Sequence, residues 1–214
     1  MILKILFPTE NFCYFCKEET PYLPDKICAD CRDRIEVLNR KFSTDDLSVE
    51  YIYAAVSYNS YVREFIHRFK FRNSSYLYKP FAILMKNAMD ANELTNFDLI
   101  VPVPIHWRKE AIRGYNQSAL LATELSKLTG IEYNSKSLIK HKWTKEQNRL
   151  SKTEREINLK GSFTVRDRNS IVDKRILLVD DLFTTGNTIK TCARVLSQAG
   201  AKSVTGLVLA TMNG

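Results

Sequence analysis

The segment that most constrains the fold of this chain runs from Leu177 to Thr188 and reads LLVDDLFTTGNT. A short apolar run, RILLV, leads into two adjacent aspartates, and a turn rich in hydroxyl groups follows before a helical pattern begins. Apolar, β-branched runs of this length are typical of strands buried in a parallel sheet. Because ligands bind beyond the carboxyl ends of such strands, the segment predicts an α/β fold with a ligand site at this point.

Further strands and helices alternate along the chain. We predict strands at Tyr51–Tyr58, Asp98–Val103, Arg175–Val179 and Ser203–Ala210. We predict helices at Tyr61–Phe71, Tyr78–Ala91 and Thr188–Gln198, and a fourth with an apolar face made of Leu120, Leu121, Leu125 and Leu128. Strands that alternate with helices indicate a parallel sheet with helices on both faces. The length of 214 residues fits one such domain and a small appendage.

The turn at Thr184–Thr188 is suited to hold a phosphate group. Its threonine hydroxyls, its backbone N–H groups and the positive end of the following helix point to one place, and Gly186 permits a close approach of the backbone. A P-loop would need a Gly-Lys-Ser/Thr sequence, and a dinucleotide-binding turn would need three spaced glycines. A receiver-type acidic pocket would also contain adjacent aspartates but would not explain the threonines, and a simple polar turn between a strand and a helix stays open.

Asp180 and Asp181 precede this turn and would repel a phosphate unless they bind something else. Hydroxyl groups of a sugar are one candidate, and a Mg²⁺ ion shared with a diphosphate is another. A ribose 5-phosphate meets both requirements, because its sugar can face the acids while its phosphate enters the turn. We therefore expect a phosphoribosyl site.

Four of the five cysteines form two Cys-x-x-Cys pairs, Cys13 with Cys16 and Cys28 with Cys31. Two such pairs supply the four thiolates of a closed, tetrahedral zinc site. Disulfides are disfavoured in a reducing compartment, and a redox-active Cys-x-x-Cys normally occurs once. We predict a structural zinc ion that folds this module and takes no part in chemistry. The fifth cysteine, Cys192, falls in a predicted helix and is expected in the core.

These assignments divide the chain into three parts. Residues 1–42 form the zinc-binding module, the acidic and polar residues 43–48 form a linker, and residues 49–214 form the α/β domain. No apolar run approaches the roughly 18–20 residues of a membrane helix, and the opening MILKILFP is too short for the core of a signal peptide. We therefore expect no membrane insertion and a cytoplasmic location.

Basic residues are concentrated in two regions of a chain whose formal net charge is +8. The region Lys136–Arg168 holds ten lysines and arginines against four acids, and its middle is expected to be an exposed flap. In the region Arg63–Arg72, cations alternate with phenylalanines. Charge beside aromatic rings is what binding of single-stranded nucleic acid requires. We favour a different interpretation, an amphipathic helix that buries one aromatic stripe and leaves its charges in water.

Val179-Asp180-Asp181, followed by Thr184-Thr185-Gly186-x-Thr188, resembles the fingerprint of the type I phosphoribosyltransferases. Further segments are similar to those of the ComF family of competence-associated proteins, which is named for DNA uptake in natural transformation. These segments are Val101–Pro104, Arg113–Ser118, Gln147–Arg155 and the four-cysteine head. The resemblance extends over nearly the whole chain.

The resemblance implies a zinc module fused to a type I phosphoribosyltransferase-like domain. Asp180 and Asp181 would hold the ribose hydroxyls and are the candidate catalytic residues, and Mg²⁺ would accompany the diphosphate. The 5-phosphate would be bound by Thr184, Thr185, Gly186, Asn187 and Thr188. The diphosphate would lie near Arg108, Lys109 and Arg113, under a flap that contains Gln147, Arg149 and Arg155.

The function that the resemblance implies is support of DNA uptake. Such a protein would bind phosphoribosyl diphosphate or a related nucleotide and would act with single-stranded DNA and a competence helicase of the ComF group. Two further functions stay open: an active phosphoribosyltransferase of base salvage, and an adaptor whose zinc module docks a helicase. Salvage enzymes usually add a hood element that recognises the base. The chain stops at Gly214, directly after its last predicted strand, so we expect that element to be absent.

Overall fold

The apolar runs of the sequence assemble into a parallel sheet covered by helices. The structure is a computed structural model that describes residues 12–20, 23–49, 51–71, 74–143, 159 and 161–212. Within these ranges the strands are Val37–Ser43 (β1), Tyr51–Ser57 (β2), Leu99–Pro102 (β3), Leu138–Lys140 (β4), Phe163–Val165 (β5), Arg175–Phe183 (β6) and Ser203–Thr211 (β7). The α-helices are Ala29–Asp33 (α1), Ser60–Phe71 (α2), Tyr78–Ala91 (α3), Trp107–Arg113 (α4), Gln117–Thr129 (α5) and Asn187–Gln198 (α6).

The main sheet has the strand order β1-β2-β7-β6-β3. Strands β2, β7, β6 and β3 run parallel, whereas β1 pairs with β2 in the antiparallel direction. Val179 of β6 pairs with Leu207 on one side and with Pro102 on the other, and it is fully buried. A central strand covered on both faces explains why its sequence is a continuous apolar run. The predicted parallel sheet flanked by helices is confirmed.

The edge strand β1 is not predicted by the sequence pattern. Its side chains are exposed or half-buried along its whole length. The register shifts between Val37 and Arg40, where Asn39 has a φ of 45°. A bulge of this kind interrupts the alternation of buried and exposed residues that marks a strand. The strand falls in and just after the segment assigned to the zinc module, and the domain boundaries at residues 42 and 48 stay a prediction.

Helix α2 buries an aromatic stripe and joins the cysteine module to the rest of the core. Tyr61, Phe65 and Phe69 are all buried, as the amphipathic interpretation predicts. Phe15, which lies between Cys13 and Cys16, packs edge-on against Phe65 with ring centroids 4.6 Å apart. It also contacts Phe81 of α3, at 5.6 Å between centroids. The module therefore shares one apolar cluster with the helices that cover this face of the sheet.

Helix α5 differs from the prediction at its last turn. Leu121 and Leu125 are fully buried, but Leu128 is 42% exposed, so the predicted apolar face is wrong at this position. The reason is local, because the final turn of α5, before the left-handed cap at Gly130, lies at the surface. On the opposite face of the sheet, Cys192 of α6 is fully buried, which confirms its predicted place in the core.

Helix α2 also crosses the carboxyl edge of the sheet. It follows directly after β2, where the N–H of Tyr58 donates to the carbonyl of Thr211 at the end of β7, at 2.8 Å. At its other end, Lys70 reaches Asp181 in β6 with 2.5 Å between Nζ and Oδ2. The helix thus begins just after the hydrogen-bonded ends of β2 and β7 and ends beside β6. This edge is the one at which parallel sheets bind ligands.

Three short elements lie near the predicted flap and are not predicted by the sequence. Strands β4 and β5 form an antiparallel hairpin in which Leu138 pairs with Val165, and α4 follows β3. Elements of three to seven residues are too short to show a clear periodicity. The flap expected between Lys140 and Leu159 lies mostly outside the described residues. In the part of the chain that the structure describes, no helix has the length and apolar character needed to cross a membrane.

Candidate phosphoribosyl and zinc sites

The two aspartates lie inside β6, not beyond it. The strand continues to Phe183, four residues further than the apolar run indicates. Side chains alternate between the faces of a strand, so Asp180 and Asp181 point in different directions and are stabilised by different neighbours. Asp180 is partly exposed, and Asp181 is 8% exposed.

Asp180 is held by hydrogen bonds from two donors. The hydroxyl of Ser118 donates to its Oδ1 at 2.8 Å, and the N–H of Asp181 donates to the same oxygen at 2.9 Å. Burial, and after it the neighbouring charge of Asp181, raises the pKa of Asp180 to about 7. The hydrogen bond from Ser118 opposes this shift. Asp180 is therefore a carboxyl group that changes its charge near neutral pH.

Asp181 is neutralised by a lysine that arrives from a distant part of the chain. The Nζ atom of Lys70 lies 2.5 Å from its Oδ2, and the side chains are 20% and 11% exposed. The backbone of α2 is fixed beside this pair, because the hydroxyl of Tyr115 donates to the carbonyl of Phe69 at 2.5 Å. An ion pair so shielded from water is more strongly coupled than one at the open surface.

The segment Arg113–Ser118 contains the turn that begins α5. Asn116 caps this helix, since its Oδ1 accepts from the N–H of Ser118 at 3.1 Å. Its Nδ2 donates at 3.1 Å to the carbonyl of Val103, which follows β3. The capped turn presents the hydroxyl of Ser118 to Asp180. The polar residues after β3 thus place the hydroxyl donor of Ser118 beside Asp180.

The turn after β6 has the shape of a phosphate cradle. Gly186 caps α6 in the left-handed region, with a φ of 74°. A Cβ built at this glycine would lie 2.6 Å from Cε2 of Phe183, so a larger residue does not fit. The Nδ2 donor of Asn187 is buried and has no hydrogen-bond partner among the described residues. A buried donor without a partner, next to the free N–H groups at the start of a helix, is suited to bind an anionic oxygen.

The residues predicted to bind the diphosphate lie on α4 and in the flap, and their role stays a prediction. Arg113 donates to Oε1 of Gln117 at 3.1 Å, next to the residue that holds Asp180. Arg108 and Lys109 lie on the same helix, α4, where each packs near a tryptophan ring. The predicted flap residues lie outside the described residues; they are Gln147, Arg149 and Arg155.

Lys70 and Lys140 interact with the acid pair in ways that the sequence pattern does not reveal. The pattern groups Lys70 with the solvated charges of an amphipathic helix, and only the tertiary fold brings it to Asp181. Lys140 ends β4, at the stem of the predicted flap. Burial first, and then the charge of Lys109, lowers the pKa of Lys140 to about 8, while Asp180 opposes the shift. Neither lysine has a local sequence signal, because each interacts with an aspartate that is distant in the sequence.

The four cysteines of the N-terminal module converge on one point. Their Sγ atoms all lie within 4.8 Å of one another, and Cys16 and Cys28 are 3.7 Å apart. Four sulfurs about 2.3 Å from a tetrahedral zinc ion are separated by about 3.8 Å. Cys13, Cys28 and Cys31 are buried, whereas Cys16 is exposed. The cluster fits a zinc module, with no fifth protein ligand in the described set.

Residues 114–213 match the phosphoribosyl transferase domain family. Together with the parallel sheet and the acid pair, this match defines an α/β protein with a type I phosphoribosyltransferase-like domain. Over 221 aligned residues the chain is also 30% identical to the competence protein ComFC of Bacillus subtilis, with 97% of this chain and 87% of that protein covered. The chain therefore belongs to the ComF family of competence proteins.

Two other relatives match over a shorter length. Competence protein F of Haemophilus influenzae is 33% identical over 145 residues, and the DNA utilization protein YhgH of Escherichia coli is 32% identical over 143 residues. Each alignment covers 65% of this chain, and it covers 63% and 62% of those proteins. An orotate phosphoribosyltransferase structure from Mycobacterium tuberculosis is 13% identical, with 88% of this chain and 97% of that chain covered and a TM-score of 0.38. The fold is assigned from the strand order of the main sheet and from the match to the phosphoribosyl transferase domain family.

We predict that the purified protein contains about one zinc ion per chain, the stoichiometry of a Cys₄ site. Replacement of Cys28 and Cys31 by serine should remove the metal and destabilise the protein, because a structural zinc ion contributes directly to folding. Elemental analysis and thermal melting test both effects. Cys192→Ser is the control, since this buried cysteine lies outside the cluster and should leave the zinc content unchanged.

The raised pKa of Asp180 predicts a pH-dependent effect of Asp180→Asn. An unfolded aspartate releases its proton near pH 4, whereas Asp180 in the folded protein keeps it until about pH 7. The folded state thus binds more protons in this window, and the free energy of unfolding falls as the pH rises through it. Asp180→Asn should therefore raise the melting temperature, relative to wild type, more at pH 8 than at pH 5.

The control for this experiment is Asp173→Asn. Asp173 is exposed and has a φ of 58°, a conformation that asparagine also tolerates. The Asp173→Asn variant makes the same chemical change at the surface, and its effect on the melting temperature should not depend on pH in the same way. Equal effects of Asp180→Asn at pH 5 and pH 8 would contradict the protonation of Asp180.

Proposed function

We propose that this protein binds a phosphoribosyl diphosphate-type ligand at the carboxyl end of β6 and uses this site in DNA uptake. Membership of the ComF family supports the competence-associated role. The observation that carries the ligand assignment is the arrangement of the acid pair and the phosphate cradle on one strand-turn-helix unit. A ribose 5-phosphate has a diol for the acids and a phosphate for the turn.

The residues around the acid pair suit a sugar diol better than a bare metal ion. Asp181 is already paired with Lys70, and Asp180 accepts a hydrogen bond from Ser118. Each carboxylate therefore has a partner that competes with a cation. Carboxylate oxygens that remain accessible can accept hydrogen bonds from hydroxyl groups. Mg²⁺ would enter with the diphosphate and neutralise its charge. Lys70 reduces the repulsion between the acid pair and the incoming anion.

An active phosphoribosyl transfer is the second candidate function. In that case the bond between C1′ and the diphosphate oxygen breaks, the diphosphate leaves with its electron pair, and an acceptor nitrogen forms the new bond. Such a site acts by positioning and electrostatics and needs no protein nucleophile. An acceptor-dependent release of diphosphate would favour this transfer, whereas binding without release favours a ligand-sensing site.

We predict that phosphoribosyl diphosphate with Mg²⁺ raises the melting temperature. At a ligand concentration one hundred times Kd, binding adds about 2.7 kcal/mol to the stability of the folded state. For a chain of this size, that corresponds to a shift of about 5–11 °C. The double variant Asp180→Asn with Asp181→Asn should lose the shift, because the diol loses its charged acceptors.

The matched control is again Asp173→Asn, which should retain the full shift. Calorimetric titration of the same variants gives the Kd without relying on unfolding. An undiminished shift in the double variant would overturn the assignment of the acid pair. A wild-type protein that shows neither a shift nor heat of binding would overturn the phosphoribosyl ligand itself.

We also propose that the protein binds single-stranded DNA and acts with a competence helicase of the ComF group. The basic side of α2 supports the DNA proposal, since it borders a cleft of about 430 Å³. The lining includes two arginines, Arg63 and Arg68, together with His67 and Glu64. Tyr58 is also in the lining, so the cleft combines positive charge with an aromatic ring, as binding of single strands requires.

Binding to oligothymidylate should weaken as salt rises, because phosphate contacts release counterions. Arg63→Gln should weaken binding at low salt and reduce the slope of log K against log salt by about 0.7, the value for one lost phosphate contact on a single strand. Lys202→Gln, at the exposed amino end of β7, removes the same charge from another surface and serves as control. Equal slopes for both variants would contradict the assignment of this cleft.

A further inference from the structure

Helix α4 exposes large apolar side chains to water. The structure describes all seven residues of this helix, Trp107–Arg113, and none of them is buried. Trp107 is 64% exposed, and Ile112 is 81% exposed. Trp143, which follows β4, is 46% exposed. Single exposed apolar residues are ordinary on a protein surface, whereas a group of large ones marks an interaction site.

The two tryptophans are held by one buried histidine. His106 is 5% exposed, and its Nδ1 atom accepts a hydrogen bond from the N–H of Arg108 at 3.2 Å, at the start of α4. The centroid of its ring lies 5.6 Å from that of Trp107. It lies 5.3 Å from that of Trp143, in an edge-on arrangement. The indoles are therefore oriented before any partner binds, which reduces the entropy lost on binding.

Two cations lie between these rings and Ile112. The guanidinium of Arg108 lies 5.2 Å from the centre of the Trp107 ring. The Nζ atom of Lys109 lies 5.9 Å from the centre of the Trp143 ring. Arg108 and Lys109 precede Ile112 by four and three positions, so these three side chains share one side of the helix. We call this surface the α4 patch; it consists of Trp107, Arg108, Lys109, Ile112 and Trp143.

A cleft of about 660 Å³ opens beside the α4 patch. Trp107 and Glu110 line it from α4, and Leu138 and Ile139 line it from β4. Leu138 is 1% exposed, so part of the lining is continuous with the apolar core. A concave surface of this size accepts a side chain that protrudes from a bound protein segment.

We propose that the α4 patch docks an acidic segment of a partner protein that carries an apolar anchor residue. The anchor packs against Trp107 and Ile112, and carboxylates of the segment pair with Arg108 and Lys109. Tryptophan and arginine are enriched among the residues that carry binding energy at protein interfaces, and complementary charge selects the partner. This docking surface does not depend on the proposed phosphoribosyl site.

A nucleic acid strand and a lipid surface fit the α4 patch less well. A strand presents a continuous row of phosphates, which the exposed carboxylate of Glu110 repels. Bases stack on aromatic rings, whereas Ile112 is aliphatic. A helix that lies on a lipid surface needs its apolar residues on one stripe. Trp107 and Ile112 are five positions apart, which places them about 140° apart around the helix.

A second copy of this chain is also a poorer occupant. One acidic segment of the chain, Asp45–Leu47, has an exposed apolar residue, since Leu47 is fully exposed. Asp45 is paired with Lys190, and Asp46 is paired with Arg194 at 2.8 Å. These carboxylates would have to leave their partners before they could reach another copy. We therefore assign the α4 patch to a different protein.

The test selects short peptides from a displayed library of random sequences on the full chain. The selected peptides are synthesised, and their Kd is measured by fluorescence anisotropy. We expect acidic sequences with an aromatic or aliphatic anchor, whose affinity falls as salt rises. Ile112→Ser should weaken their binding about 5- to 30-fold, the loss expected when an interface anchor is truncated. Ile112 is 81% exposed and lies outside the predicted diphosphate residues, so this variant should fold like wild type.

The matched control is Leu47→Ser, which removes an exposed aliphatic side chain from another surface. It should leave the Kd of the selected peptides unchanged, whereas Trp107→Ser should repeat the loss seen with Ile112→Ser. A selection that enriches no peptide would overturn the proposal. Selected peptides that lack acidic residues, or that bind wild type and Ile112→Ser equally, would also overturn it.

Three further measurements compare wild type with Ile112→Ser to test the other occupants. A loss of affinity for oligothymidylate would assign the α4 patch to DNA, and a loss of binding to phosphatidylglycerol vesicles would assign it to a lipid surface. Dissociation of a wild-type dimer, measured by analytical ultracentrifugation, would assign it to a second copy. Each of these losses would overturn the proposal, and unchanged values in all three measurements would support it.

Discussion

The repulsion between two adjacent carboxylates at the end of β6 is the constraint around which the carboxyl edge of this protein is organised. Each aspartate is stabilised by different partners. Ser118 and a backbone N–H hold Asp180, whose pKa is raised to about 7, and Lys70 pairs with Asp181. These partners come from α5 and α2, so the acid pair is stable only when both helices are in place. The result is an acid pair that is pre-formed but not fully charged.

The cysteine module is connected to this site through α2. Phe15 lies within the module and packs against Phe65 and Phe81, while the same helix ends at Lys70 beside Asp181. The module thereby supports one end of a helix whose other end contacts the acid pair. A structural zinc ion in the module would therefore stabilise α2, and through it the position of Lys70 beside Asp181.

Much of the central sheet could be predicted from the sequence, because its strands are continuous apolar runs and its helices are long enough to show a period. The acid pair and the Thr184–Thr188 turn could also be predicted, since their residues are contiguous in sequence and the apolar run before them marks the strand. The edge strand β1 could not, because a bulge at Asn39 and the exposed edge remove the alternation. Lys70 could not either, because its role depends on the packing of α2 over β6, which no local pattern records.

We propose that the site formed by the acid pair and the turn after β6 serves DNA uptake. Its most direct test is the transformation frequency of a naturally competent strain that lacks its own family member and carries this chain. We expect wild type and Asp173→Asn to restore transformation, and Asp180→Asn with Asp181→Asn, at the same protein level, to stay near the frequency of the deletion strain. Full restoration by the double variant would show that the acid pair is not needed for DNA uptake.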